Sequence, residues 1–264
     1  MTFITNIPET AQKSRILQIR RTINAPVLLP IKMASVHRQP VNGSSRSPQR
    51  GAENSAQTAG SSLTGSKALL SETLQNCVVI DVETTGLDPS TEKIIEVGAL
   101  RVIDGEVAST FHTLINPRRP LPEVIQRITG LSDAHLQQAQ DTKAALVDLL
   151  DFLHETKAVH GFSRGNPPAY FVGHHVEFDI SFLEAEAQRT QSSGWEFLSP
   201  AALQCTAQAA RNLIPRESVG RYRLANVAEY LKTAHKPSHR ALDDSRATFE
   251  VLQGLERIQR AQRS

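Results

Sequence analysis

The sequence predicts an α/β fold, a mixed β-sheet flanked by helices, over residues 74–264. Two observations predict it. Three strand-like segments follow one another early, joined by short turns, and helical and strand-like segments then alternate to the end of the 264-residue chain. Hairpins make antiparallel pairs and alternation makes parallel ones, so the sheet must be mixed. A third observation sets the boundary. Residues 34–67 are rich in Ser, Gly, Gln, Asn and Pro, with almost no large apolar side chain. Such a segment cannot bury enough surface to offset its conformational entropy. Residues 1–73 are therefore read as a disordered, basic, Ser/Gly-rich arm, in which RILQIRRTI is a short helical candidate.

Charge follows the same division. Residues 1–76 carry nine basic side chains against three acidic ones, and the remainder is net negative by four. The arm is Arg- and Ser-rich and poor in acids, as an organelle transit peptide is. The default reading is an unstructured extension, or a start at Met33. Cys77 and Cys205 have no CxxC or Cys/His spacing, so neither a disulfide framework nor a zinc site is expected. No apolar run approaches the roughly 20 residues of a membrane span. The expectation is a cytoplasmic protein with no membrane partner, organelle targeting by the arm being the alternative.

The elements read in order. CVVIDVETTGLD, residues 77–88, begins as a buried strand, and KIIEVGALRVIDGEVASTFHTLINP reads as two more strands joined at Asp104-Gly105, a hairpin signal. TKAALVDLLDFLHE places Leu146, Leu149, Leu150 and Leu153 at helical spacing. AYFVGHH is a short strand, and FDISFLEAEAQRT a helix. LQCTAQAARNLI and LANVAEYLK read as helices, and RALDDSRATFEVLQGLERIQRAQ as a long terminal one.

Three acidic motifs stand out. Asp81 and Glu83 sit one residue apart in the first strand, and alternate strand residues share a face. Two like charges on one face repel, desolvation adds to the cost, and a bound cation reverses the sign. A strand end that reaches water would also accommodate them. Asp179, in VGHHVEFDISFL, lies near a helix start, where the dipole favours an acid. Phe182 and Leu183 at i+3 and i+4 turn it toward the core. In SHRALDDSRATFEVL, Asp244 shares its face with Ala247, Thr248 and Val251, whereas Asp243 shares its face with Arg246 and Glu250. Asp244 is thus the inward acid and Asp243 a surface one. His239, five residues ahead of Asp244, can lean over the helix N-terminus; alone it would read as a surface or cap histidine. Four inward acids without cysteine select hard cations, Mg²⁺ or Mn²⁺, and suffice for two of them. Two such ions suit in-line attack on a phosphodiester, with the histidine accepting the proton of water.

The motifs DVETTGL, HHVEFD and HRALDD resemble those of the DEDDh exonucleases of the DnaQ-like family, which includes the proofreading epsilon subunit of bacterial DNA polymerase III. The segment FHTLINPRRPLPEVIQRITGLSDAHLQQA is similar to the family's stretch between motifs one and two, so the resemblance covers about residues 76–256. It implies an RNase H-like fold with a mixed five-stranded sheet, and 3′→5′ hydrolysis that releases nucleoside 5′-monophosphates. Carried over by position, it implies that Asp81, Glu83, Asp179 and Asp244 hold two divalent ions, Asp81 bridging both, and that His239 is the general base. It further implies that Thr84, Thr85 and Gly86 lie against the terminal nucleotide through backbone groups, and that Leu87 packs on its base or sugar. His175 stands where the family usually has Asn, and it is kept as a substrate contact. HGFSRGNPPAY is longer than usual and reads as a surface insertion or a loop at the site's edge.

The net-negative body has no broad basic footprint for duplex binding, which suits an enzyme that grips a single 3′ end. Arg211, Arg216, Arg221 and Arg223 cluster before motif three and are candidates to steer the strand. The expected substrate is single-stranded DNA 3′ ends, in proofreading or repair. Because the chain stops soon after motif three, a free-standing or auxiliary exonuclease is expected, with a replication or repair polymerase as candidate partner. Two alternatives remain: an RNA 3′-end processing or oligoribonucleotide-degrading enzyme, and a non-catalytic nucleic-acid-binding module.

Overall fold

The computed structural model describes residues 69–158, 161–164, 168–195 and 202–264. The arm expected over 1–73, its helical candidate included, lies outside the described residues as far as residue 68. Residues 70–73 belong to a helix, α1 (Leu70–Gln75). It packs through Leu70 and Leu74, and its first backbone N–H is capped at 3.0 Å by the Gln259 side chain. Packing therefore begins a few residues ahead of the boundary that composition suggested.

Strands β1 (Asn76–Thr84), β2 (Ile94–Ile103) and β3 (Glu106–Leu114) form an antiparallel meander. The β2–β3 turn is the expected Asp104-Gly105 pair, both with positive φ (52° and 79°), the requirement of a type I′ hairpin. Three short helices follow, α2 (Glu123–Thr129), α3 (Asp133–Gln137) and α4 (Thr142–Leu153). A small hairpin, β4 (Glu155–Ala158) and β5 (Gly161–Arg164), takes up part of the long segment before the fourth strand of the main sheet. Then come β6 (Tyr170–Gly173), α5 (Val176–Thr190), β7 (Ala202–Cys205), α6 (Thr206–Leu213), α7 (Arg216–Val219), α8 (Leu224–Leu231) and α9 (Ala241–Ala261).

The main sheet has the order β3-β2-β1-β6-β7, with β1, β6 and β7 parallel. It is the expected mixed five-stranded sheet. One element differs from the sequence reading. LQCTAQAARNLI is not all helix, because Ala202–Cys205 pairs with β6 as an edge strand and the helix begins at Thr206. Backbone pairing with β6 outweighs the local helical preference there.

Period-two alternation divides the core into two layers. Val78, Ile80 and Val82 of β1 pack with α4 and α5, through residues such as Leu146, Leu149, Ile180 and Leu183. Cys77 and Val79, on the opposite face, pack with α1, α6, α8 and α9, through Leu74, Ala210, Val227, Val251 and Leu255. Burial of each such aliphatic side chain stabilises the fold by about 1.5–3 kcal/mol. Both cysteines are free, and burial pushes the Cys77 thiol up to about 12, so it remains protonated. No helix among the described residues is long and apolar enough to cross a membrane.

Candidate active site

Asp81 and Glu83 continue the Cys77–Val79 face of β1, so they emerge on the side covered by α9. Directly across the β1–β2 ladder from Asp81 is Gly98. A Cβ at Gly98 would lie 2.2 Å from the Leu242 backbone nitrogen and 2.3 Å from the Ala241 carbonyl carbon. The first turn of α9 thus rests on bare β2 backbone, and the Ser245 hydroxyl donates to the Gly98 carbonyl at 2.9 Å. That seat brings Asp244, buried in the first turn, toward the β1 acids. Asp243 is turned outward and pairs with Arg246 at 3.3 Å, as the helical spacing predicts.

Asp179 arrives from the other direction. Strand β6 pairs with β1 only along Cys77–Val79, and the chain then turns at His174–His175, where His175 is left-handed at φ 86°. The turn starts α5 and carries Asp179 back to β1, where its Oδ1 accepts the Val82 N–H at 3.0 Å. A Cβ at Gly173 would stand 3.2 Å from the Asp179 carboxylate, so the missing side chain leaves this acid its room.

Asp81, Glu83, Asp179, Asp244 and His239 line one cleft of about 390 Å³, together with His174, His175 and Phe178. Like charges in a half-buried cleft resist ionisation. Burial, then the Asp179, Glu83 and Asp244 charges, hold Asp81 well above the carboxylate range. Glu83 is raised to about 8 by burial and then by Asp244, Glu96 and Asp179. Burial also raises Asp179 and Asp244. Ligand atoms of Glu83, His239 and Asp244 lie within 4.8 Å of one another, close enough to hold a single ion. Hard oxygen donors that repel one another fit a divalent cation, whose charge would lower all four carboxylates together.

Thr84, Thr85, Gly86 and Leu87 do not line this cleft. Thr84 and Thr85 are buried, and the Thr84 hydroxyl donates to the Gly86 carbonyl at 2.6 Å. The Thr85 hydroxyl donates to Glu92 at 2.5 Å and accepts from Lys93 N and Arg119, while its amide donates to Lys93 O at 2.9 Å. Thr85 therefore holds the turn in shape with both its side chain and its amide. Leu87 is 85% exposed at the tip. His175 is exposed and lines the cleft.

Sequence reasoning passed over His174. Its Nε2 lies 2.9 Å from the Tyr222 carbonyl, which can only accept, so Nε2 carries the proton, and Nδ1 lies 3.0 Å from the Thr206 hydroxyl. Burial lowers its pKa to about 4, so the ring stays neutral in neutral solution. His174 thereby ties the cleft to the loop of Arg221 and Arg223, both exposed, while Arg211 stacks 5.7 Å from the Tyr222 ring centre. The signal was available, since the first His of VGHH directly follows an apolar strand.

With this geometry in hand, comparison with known proteins gives consistent results. The family model RNase_T, described as Exonuclease, matches residues 78–252. The chain is 32% identical over 175 residues to the DNA polymerase III subunit epsilon of Aquifex aeolicus, covering 66% of this chain and 77% of that protein. It is 33% identical over 177 residues to the PolC-type DNA polymerase III of Thermotoga petrophila, covering 66% of this chain. The chain spans only 11% of that polymerase and 26% of a further relative from Mycobacterium tuberculosis. The solved nuclease domain of 3′hExo, a DEDDh family member bound to rAMP, superposes with a TM-score of 0.53 over 72% of this chain and 94% of that one. At 18% identity that likeness is one of fold.

Proposed function

The chain belongs to the RNase_T exonuclease family, and on that premise we propose that it is a metal-dependent 3′→5′ exonuclease that hydrolyses nucleic-acid 3′ ends to nucleoside 5′-monophosphates, with DNA preferred. The observation that carries this reading is the convergence of Asp81, Glu83, Asp179, Asp244 and His239 on one cleft from three separate elements and the loop before α9. In this reading Asp81, Glu83, Asp179 and Asp244 would hold a pair of divalent ions, Mg²⁺ or Mn²⁺. When bound, the ions would supply positive charge to the phosphate and lower the pKa of the attacking water. His239, exposed at the cleft rim, accepts the proton of that water. Asp179 is held to β1 by the Val82 amide, which fixes its carboxylate in the cleft rather than in solvent. Leu87, exposed beyond the end of β1, offers an apolar surface to the terminal base or sugar. Arg221 and Arg223 flank Tyr222, whose carbonyl His174 holds, and in this reading they would meet the strand's phosphates.

DNA is favoured because the relatives from Aquifex aeolicus and Thermotoga petrophila are DNA polymerase III proteins, and a replication or repair polymerase is the corresponding partner class. The test is digestion of single-stranded DNA and RNA of one sequence, labelled at the 3′ or the 5′ end, with Mg²⁺, Mn²⁺ or EDTA. Metal-dependent shortening from the 3′ end, faster on DNA, is expected. His239→Ala should lower the rate by about 10²- to 10⁴-fold, the usual contribution of a general base. Cleavage that persists in EDTA, or that survives His239→Ala unchanged, would sink the reading.

A further inference from the structure

One acid near the cleft has no part in lining it. Glu96 stands directly across the β1–β2 ladder from Glu83 and is fully buried. A buried carboxylate must be paired to remain charged. Its partner is Arg240, whose Nε lies 3.1 and 3.2 Å from the two carboxylate oxygens and whose Nη2 lies 2.9 Å from Oε1. The fork is thus bidentate, the strong and directional form of the contact. His112 Nε2 approaches Oε1 at 2.6 Å, and the Ala241 amide approaches Oε2 at 3.4 Å.

Arg240 is the residue after His239. His239 is itself left-handed at φ 58°, a conformation that persists for a non-glycine residue only where its surroundings hold it. The surroundings hold it on both sides. The Ser238 amide donates to Asp244 Oδ1 at 2.8 Å, and Arg240 is gripped by Glu96. The loop is also fastened at its start, where Glu250 takes the Ala234 amide at 2.6 Å and His235 Nδ1 at 2.6 Å. Glu96 links the His239 segment directly to the strand beside the β1 acids.

We propose that Glu96 is a positioning residue for the reaction: by gripping Arg240 it holds the His239 imidazole over the cleft in the orientation needed to take a proton. The inference rests on the exonuclease reading and adds a residue to it. Glu96 touches neither substrate nor metal in this scheme and acts through Arg240.

The experiment measures kcat and KM on a 3′-labelled single-stranded DNA with Mn²⁺ for the wild type, Glu96→Gln, Arg240→Lys, His239→Ala and the double variant His239→Ala/Glu96→Gln. Melting temperature is recorded with and without Mn²⁺. Glu96→Gln should lower kcat by about 10- to 100-fold, as a misplaced catalytic group does, with KM and the Mn²⁺-induced rise in melting temperature retained. In the His239→Ala background the same substitution should lower the residual rate no further, because the group it orients is gone. Arg240→Lys keeps the charge, loses the fork and should fall between. It tests the same contact if Glu96→Gln fails to fold. Wild-type kcat in both Glu96→Gln and Arg240→Lys would overturn the inference, as would losses that multiply in the double variant. A wild type that shows no metal-dependent shortening would overturn the exonuclease reading instead, so the two failures are distinguishable.

Discussion

Glu83 lies between Asp81 on its own strand face and Glu96 across the ladder, with Asp244 descending from α9. Burial, then the Asp244, Glu96 and Asp179 charges, raise its pKa from the ordinary 4.5 to about 8. Between those values the folded chain holds a proton that the unfolded chain has lost. Stability therefore falls as pH rises through that window, and the penalty is absent below it. Melting temperature in EDTA should accordingly fall between pH 5 and pH 8 in the wild type and fall less in Glu83→Gln. Parallel curves for the two proteins would count against a crowded carboxylate cluster. A divalent ion requires the ionised form, so the rise in melting temperature on adding Mn²⁺ should grow with pH over the same range. The individual acids were legible because single-residue spacing on a strand and i+3/i+4 spacing on a helix fix which way a side chain points. That spacing separated buried Asp244 from half-buried Asp243, which pairs with Arg246. The Arg240–Glu96 grip was not legible, because it joins residues 144 apart and depends on the β1–β2 register.

At the scale of elements, the site depends on how α9 lies on β2. Helices usually meet a sheet through side chains, which keeps the backbones well apart. Here Gly98 removes that spacer, and the helix start sits against the strand itself. Asp244 reaches the cleft because of this approach. Gly98→Ala would drive its methyl group into the backbone of Ala241 and Leu242, which cannot move without shifting Asp244. The expected result is a loss of about 3 kcal/mol or more in stability by denaturant unfolding, with activity lost even where the chain stays folded. An active, equally stable Gly98→Ala protein would contradict the close seat. The sequence offered a glycine inside a strand pattern, which signals a close backbone approach but not what approaches. The early strands were legible for a different reason: alternation and an Asp-Gly turn are local. Strand β7 was not, since Ala202–Cys205 has four residues, Leu203 is 41% exposed, and only pairing with β6 makes it a strand.

On the scale of the whole chain, charge and chemistry are divided. Residues 1–68 carry nine basic side chains and two acidic ones, while the body that holds the acidic cleft is net negative. A net-negative body repels a polyanion at long range, and cations held in the cleft would act only at short range. Residues 1–68 are the part of the chain whose charge has the right sign to attract a polyanion, through a salt-dependent, sequence-independent attraction. It has no role in the chemistry proposed for the cleft. Replacing Arg15, Arg20 and Arg21 by Gln should therefore raise KM for a long single strand at low salt and leave kcat unchanged. The difference should shrink as ionic strength rises, because screening shortens the range of the arm's charge to about 10 Å at 0.1 M. For a dinucleotide, which offers few phosphates to gather, the substitutions should have little effect at any salt. Steady-state kinetics on long and short substrates across a salt series measures this directly. A KM that is unchanged at low salt would assign the arm a role other than substrate capture, and a lowered kcat would tie it to the cleft.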